Sequence, residues 1–443
     1  MTRPLPLARR SAVPGPRSGA AQCVAGREAV RSLTLANGLK VIVWPSHGIA
    51  HVALSNWVRA GSRNETAGAT GLAHFFEHMM FNGSARFGPG QFDRLMEDRG
   101  ASSNAFTTED VTVYQSSLPR AALELAFELE ADRIAHLRLV REIVECERRV
   151  VWSERQLCVE DNNAGLLSER VQAAAFRVHP YRFPTIGLPA DIKSWRMQDL
   201  RSFFLRCYAP GNQTFVIAGD VSPDEAFRLA RRYLARIAAR DPPPRVRVRE
   251  PAQLGERRVT LRRKGRTPLL ELAYKAPAAR DARGPALRLL VRMLVEGDAS
   301  RLHRALVERA KLAVEVTGDW HEGFDPGLLR LNLTLPEGGD PAAAVRALDR
   351  ELARIVARGL ARSELERAKS LALAAHYRQL AANDGRAHLL GEHEVLHGGW
   401  RTLFEAPAHY AAVGCAEVQA LARAVLDPRR RTVGTLAPIR ARR

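Results

Sequence analysis

The 443-residue sequence has no apolar run near the ~18 residues that a bilayer-spanning helix needs, which argues against an integral membrane segment. Its first thirty residues are basic and rich in Pro, Ser, Ala and Gly, yet they lack the continuous apolar stretch of about 7 to 15 residues that marks a secretory leader. The expectation is a soluble protein with no standard signal peptide in the chain as written: cytoplasmic, or periplasmic if the natural start lies further upstream. Cysteine is scarce as well. The five present (Cys23, Cys146, Cys158, Cys207, Cys415) are far apart, odd in number and form no CxxC pair, so neither a thiolate metal site nor a disulfide framework is indicated. Lysine supplies only six of the 67 cations and arginine the rest, for a formal charge of +19. A basic surface suits nucleic acid. Here, however, arginines alternate with glutamates, as in LARIVARGLARSELERAKS (352–370), which is the pattern of a solvated helix face. No recognised nucleic-acid module or aromatic-basic stripe accompanies the charge, so a basic nucleic-acid-binding protein ranks last and no nucleic-acid partner is expected.

What the chain does contain is regular. SLTLANGLKVIVWP reads as a hairpin with a tight two-residue turn at Asn37-Gly38, followed by a strand in HVALSNWV. SSNAFTTEDVTVYQSSL (102–118) reads as a strand pair, long helices follow to about residue 160, and TFVIAGDV returns as a strand. DPPPRVRVREPAQLGE (241–256) is Pro-rich and non-periodic, the composition of a linker. Beyond it a similar order of strands and helices recurs. The expected fold class is α+β: two homologous domains, each an antiparallel sheet with helices packed on one face. The divisions are a disordered tail over 1–30, a first domain over 31–240, the linker over 241–256 and a second domain over 257–436. Both chain ends are expected to fray.

GLAHFFEHMMF (71–81) places His74, Glu77 and His78 in an apolar stretch. On a helix, histidines at i and i+4 can chelate one ion, and Glu77 beside them can reach a water on it. A third ligand must come from another element. The helix REIVECERRVVWSERQ offers Glu147 and Glu154, two turns apart on one face. An exposed Glu/Arg helix would look the same.

HFFEH followed by MMFNGS and then a helical glutamate resembles the pitrilysin/insulinase family of inverted-motif zinc peptidases, in the small two-domain form of mitochondrial processing peptidase subunits. ANGLKVIV, VRAGSRNE, FDRLMEDRGASSNAFTTEDVTVY, LELAFELEADRI, HPYRFPTIG and FVIAGDV carry the likeness over about residues 32–240; the second half matches in element order. The resemblance implies a zinc metalloendopeptidase with one zinc ion per chain, held by His74, His78 and Glu154. Glu77 would be the general base and Glu147 the carboxylate that orients a ligand imidazole. It also implies that Asn104 and Ala105 lie on a sheet edge to which an extended peptide substrate adds as a strand.

Two features complicate this. His393-Glu394-Val395-Leu396-His397 is a literal HExxH with Glu417 downstream, but Gly398-Gly399 follows at once, so it reads as the end of a helix. Related peptidases place an Arg and a Tyr, seven residues apart, in the second domain facing the substrate. The matching positions here are Val307 and Val314, which donate no hydrogen bond. The resulting expectation is a heterodimer in which a homologous subunit supplies the Arg/Tyr pair. A non-catalytic scaffold subunit of the same fold is the alternative.

Overall fold

The computed structural model describes residues 26–439. Its first hairpin shows how local sequence is overruled by tertiary need. β1 (Arg31–Thr34) and β2 (Lys40–Pro45) pair antiparallel, with Thr34 opposite Lys40. The turn is wider than a two-residue one: Leu35 N–H donates to Leu39 C=O at 2.9 Å, and Gly38 takes the left-handed position at φ +88°. Asn37 is drawn inward, its Nδ2 donating to the carbonyls of Leu234 and Ile237 at 2.8 and 2.9 Å.

β3 (His51–Val58), β4 (Ser102–Thr107), β5 (Thr112–Pro119) and β6 (Gln213–Gly219) complete a sheet ordered β1-β2-β6-β3-β5-β4. Its neighbours are antiparallel except β2 and β6. The first-half helices that matter for the site are α1 (Leu72–Met79), α2 (Gln91–Glu97), α3 (Leu123–His136), α4 (Arg141–Arg155) and α5 (Asn163–Ala175). Residues 238–254 carry no regular structure. They are nevertheless tethered, because the Glu250 carboxylate accepts the backbone N–H groups of Arg177, Val178 and His179 at 2.7–3.0 Å.

The second sheet holds β7 (Arg257–Lys264), β8 (Leu269–Lys275), β9 (Glu315–Trp320), β10 (Leu328–Thr334) and β11 (Arg431–Ile439) in the order β7-β11-β8-β10-β9. Here β7 and β11 are the parallel pair. β11 corrects the expectation of a frayed C-terminus: up to Ile439 the chain is an inner strand, started by Arg431, which is buried and paired with Glu256 (2.7 Å) and Asp349. Residues 26–30 likewise depart from the expected tail, forming a 3-10 turn that buries Val30. The tail proper, 1–25, lies outside the described residues.

The two α+β halves have the expected build, and each also covers the second face of the other's sheet. The helix Asn383–Leu396 lies on β3 and β6, and α5 lies on β7, β8 and β11. Ile42, Trp44, Trp57 and Val216 thereby pack with Leu389 and Leu390, and Val171 and Ala175 pack with Ala273 and Leu436. This explains why β6 is buried along its whole length, as a strand covered on both faces must be. The approach is close. A Cβ on Gly391 would sit 2.0 Å from Trp57 Nε1, and one on Gly434 would sit 2.2 Å from Val171 Cγ2. Among the described residues no helix is long and apolar enough to cross a membrane.

Candidate metal centre

α1 is pinned at both its start and its back. It begins after Gly71, which has φ +87° and so little room that a Cβ would meet Ile186 C=O at 2.7 Å. The buried Glu65 carboxylate accepts the N–H groups of Gly71 and Ala73, each at 2.7 Å, at the helix end where anions are favoured. Burial nonetheless pushes Glu65 up to about 8, against the pull of those N–H bonds. Asp191 ties the preceding loop through Gly68 N–H, Thr70 N–H and Thr70 Oγ1. Leu72, Ala73, Phe75, Phe76 and Met79 are buried, with Phe76 stacked on Phe203 and Phe204 at 5.6 and 5.7 Å. One narrow polar stripe remains: His74, Glu77 and His78.

α4 brings the third element. It runs into a π-helical turn (Gln156–Glu160), a distortion frequent at functional sites, just after Glu154. Arg155 is buried there and bonded to Glu169 at 2.8 and 3.0 Å and to Gly187 C=O at 2.7 Å, which fixes the end of the helix. His74 Nε2 lies 3.4 Å from Glu154 Oε1, and His78 Nε2 lies 3.4 Å from Glu154 Oε2. One atom from each of the three residues falls within 4.8 Å of the others. Ligands about 2.0–2.1 Å from a tetrahedral zinc are roughly 3.3–3.4 Å apart, so the spacing suits a shared ion. His, His, Glu is also a donor set that zinc takes.

The surroundings orient the ligand nitrogens. His78 Nδ1 donates to Glu147 Oε1 at 2.8 Å, which turns Nε2 toward Glu154. Asn82 Nδ2 donates to Glu147 Oε2 at 2.8 Å and to His78 C=O at 3.2 Å. Burial disfavours charge on His78, but its hydrogen bonds to Glu147 and Glu154 prevail and raise it to about 9. Glu154 is held well below the usual carboxylate range by His74 and then His78, and Glu147 is lowered by His78. His74 Nδ1 is buried without a hydrogen-bond partner among the described residues. Glu77 lines a cavity of about 480 Å³ with His78, Phe81, Met96, Asp93 and Glu97. Asn104 and Ala105 line the same cavity from β4, an edge strand of the first sheet.

The HExxH segment is differently employed. The helix ends at Leu396, His393 Nδ1 bonds to Thr402 Oγ1 at 2.9 Å, and Glu394 pairs with Lys40 at 2.6 Å across the two halves. His397, Glu392 and Glu322 do gather as a possible ligand group, but Arg288 lies among them, 3.0 Å from His397 Nε2 and paired with Glu322. A guanidinium already supplies the positive charge a metal would bring. Val307 packs partly buried on the second core, and Val314 is exposed at 57%. Glu65, Asn82, Thr107 and Asp191 were not singled out from the sequence. Asn82, four residues after His78, had a helical-spacing signal, and Glu65 acts locally on the start of α1; Thr107 and Asp191 are brought in only by tertiary contact.

Comparison with known proteins agrees with the resemblance. A family model described as "Insulinase (Peptidase family M16)" matches residues 41–187, and one described as "Peptidase M16 inactive domain" matches residues 194–371. The zinc protease PqqE of Helicobacter pylori is 30% identical over 329 residues, 73% of either chain. The beta subunit of the mitochondrial-processing peptidase of Bos taurus is 33% identical over 212 residues, 48% of this chain and 43% of that one. Among solved structures, a protease from Helicobacter pylori superposes with a TM-score of 0.89 at 26% identity, covering 92% of this chain and 99% of its own.

Proposed function

The chain belongs to the insulinase family of M16 peptidases, and from that premise we propose that it is a zinc-dependent endopeptidase acting on unfolded or short polypeptides. His74, His78 and Glu154 are the ligands of one zinc ion, Glu77 is the general base, and Glu147 orients His78. The observation that carries this reading is the pair of 3.4 Å separations between the imidazole Nε2 atoms and the Glu154 oxygens. A zinc ion held there supplies Lewis acidity, lowering the pKa of a water on it and polarising the scissile carbonyl. Glu77 takes the water's proton and returns it to the departing amine. Asn104 and Ala105 on β4 receive the substrate as an added strand, which selects for extended chains over folded ones. The first domain (31–240) carries the chemistry, and the second (257–436), joined through 241–256, completes it structurally.

With Val307 and Val314 in place of hydrogen-bond donors, the oxyanion is served by a homologous partner subunit carrying an Arg and a Tyr. A scaffold subunit would have no use for a metal-spaced cluster beside an open cavity, which favours the catalytic reading. The test is metal content and cleavage of an unstructured peptide by wild type and Glu77→Gln, each with and without a homologous partner. Retained zinc with cleavage reduced about a hundredfold or more is expected for the variant. Undiminished cleavage would remove Glu77 as the base, and full activity of the chain alone would remove the partner.

A further inference from the structure

The base itself is held by a residue outside the metal helix. Thr107, the last residue of β4, puts its Oγ1 2.5 Å from Glu77 Oε2. Its cross-strand neighbour is Thr112, whose Oγ1 is 3.4 Å from Thr107 Oγ1 and 2.9 Å from the carbonyl of Ala60. Each hydroxyl has one proton to give. Thr112 spends its proton on Ala60, and the shorter distance commits that of Thr107 to the carboxylate. A β-branched side chain in a strand has little χ1 freedom, so the hydroxyl is aimed rather than free.

The turn after Thr107 is clamped. Thr108 N–H donates to Val111 C=O at 2.8 Å. The buried Asp110 accepts Tyr181 OH at 2.7 and 2.8 Å, Arg63 Nη1 at 3.2 Å and, from the second half, Phe324 N–H at 3.1 Å. Arg63 also reaches Asp325 at 2.5 Å. The loop between β9 and β10 thus braces the hairpin that carries Thr107.

We infer that Thr107 is the positioning residue of the general base, an inference that rests on the peptidase reading above. Its hydroxyl occupies Oε2 of Glu77 and leaves Oε1 to take the proton from water; Thr107 keeps its own proton throughout. The strand proposed to receive the substrate therefore also sets the angle of the base.

The test compares wild type, Thr107→Val and Thr107→Ser as metal-loaded proteins with the partner present, measuring kcat and KM on an unstructured peptide, zinc per chain and melting temperature. Crystal structures of the variants report the Glu77 carboxylate independently of activity. For Thr107→Val, kcat is expected to fall about 10- to 100-fold with KM within about twofold, zinc unchanged and the carboxylate turned from its place. Thr107→Ser is expected to recover kcat to within about threefold. Wild-type kcat in Thr107→Val, equal impairment of both variants, or an unmoved Glu77 carboxylate would overturn the inference. Loss of cleavage in Glu77→Gln alongside a fully active Thr107→Val sinks this inference alone, whereas an active Glu77→Gln sinks the base assignment first.

Discussion

Replacing Glu147 by glutamine separates two opposing effects of one carboxylate. Two donors converge on it, His78 Nδ1–H on Oε1 and Asn82 Nδ2–H on Oε2, both at 2.8 Å. Glutamine offers a single oxygen, so one donor must face an NH2 group. Loss of a charge-assisted bond of this kind costs about 1.5–3 kcal/mol, in line with the roughly 10- to 100-fold loss of metal affinity typical when such a partner is removed. The same carboxylate, however, helps raise His78 to about 9. A metal held through His78 would have to displace that proton, so competition is strongest below pH 9 and disappears above it. At pH 7 the proton is expected to weaken zinc binding by about a hundredfold in the wild type, and Glu147→Gln should relieve part of this. The assay is zinc affinity by chelator competition at pH 7 and pH 9. The variant is expected to bind about 10- to 100-fold more weakly at pH 9, with a smaller deficit at pH 7 and a shallower slope of log affinity against pH. Wild-type affinity at pH 9, or a deficit larger at pH 7 than at pH 9, would refute the reasoning.

Three further outcomes are expected. Gly391→Ala forces a Cβ to within 2.0 Å of Trp57 Nε1 where the two halves meet, and should destabilise the protein by about 3 kcal/mol in urea unfolding, as overpacking does; an unchanged midpoint would contradict the packing. Asp93 and Glu97, one helical turn apart on α2, open onto the cavity beside Glu77, whose lining among the described residues includes no Lys or Arg. A basic side chain near the scissile bond should therefore be preferred, and Glu97→Lys should shift the lysine-over-glutamate ratio of kcat/KM by about threefold to tenfold; a constant ratio would count against it. Half-buried Lys275, its buried Nζ 3.4 Å from the Phe176 ring and without a hydrogen-bond partner among the described residues, is pushed down to about 7 by burial, against the pull of Glu250. Because the unfolded chain binds the extra proton between about pH 7 and 10, the penalty is full below pH 7 and fades as pH rises. Lys275→Met should stabilise the protein below pH 7, by on the order of 5 kcal/mol at most, and by about 1 kcal/mol or less at pH 10; a pH-independent difference would refute it.

The candidate metal cluster was legible because it is written locally: His74, Glu77 and His78 share a helix face, and Glu147 and Glu154 share another. Their meeting depends on which helices touch, and periodicity does not encode that. Thr107 could not be found from spacing, since its contact with Glu77 crosses from a strand to a helix 30 residues away. The hairpin was recognised from Asn37-Gly38, but its turn type was not, because Asn37 answers to carbonyls about 200 residues downstream. β11 was obscured by the arginines of 429–431: a run of cations resembles a tail until Arg431 is seen paired with Asp349 and Glu256. HExxH at 393–397 is followed at once by two glycines, where its helix ends at Leu396, while the cation that occupies its neighbourhood, Arg288, lies far away in sequence.

The exchange of covering helices has a cost in time. β2, β3 and β6 are all made by residue 219, but Trp44 and Trp57 stay open to water until the helix Asn383–Leu396 arrives. At ribosomal speeds that wait is on the order of ten seconds. A nascent chain in that interval carries a large apolar sheet face and, at β4, an unpaired edge, the two features that invite association with other chains. Cutting the protein at the linker would make this condition permanent, so the first half alone should not persist as a soluble fragment, whatever its own core contributes.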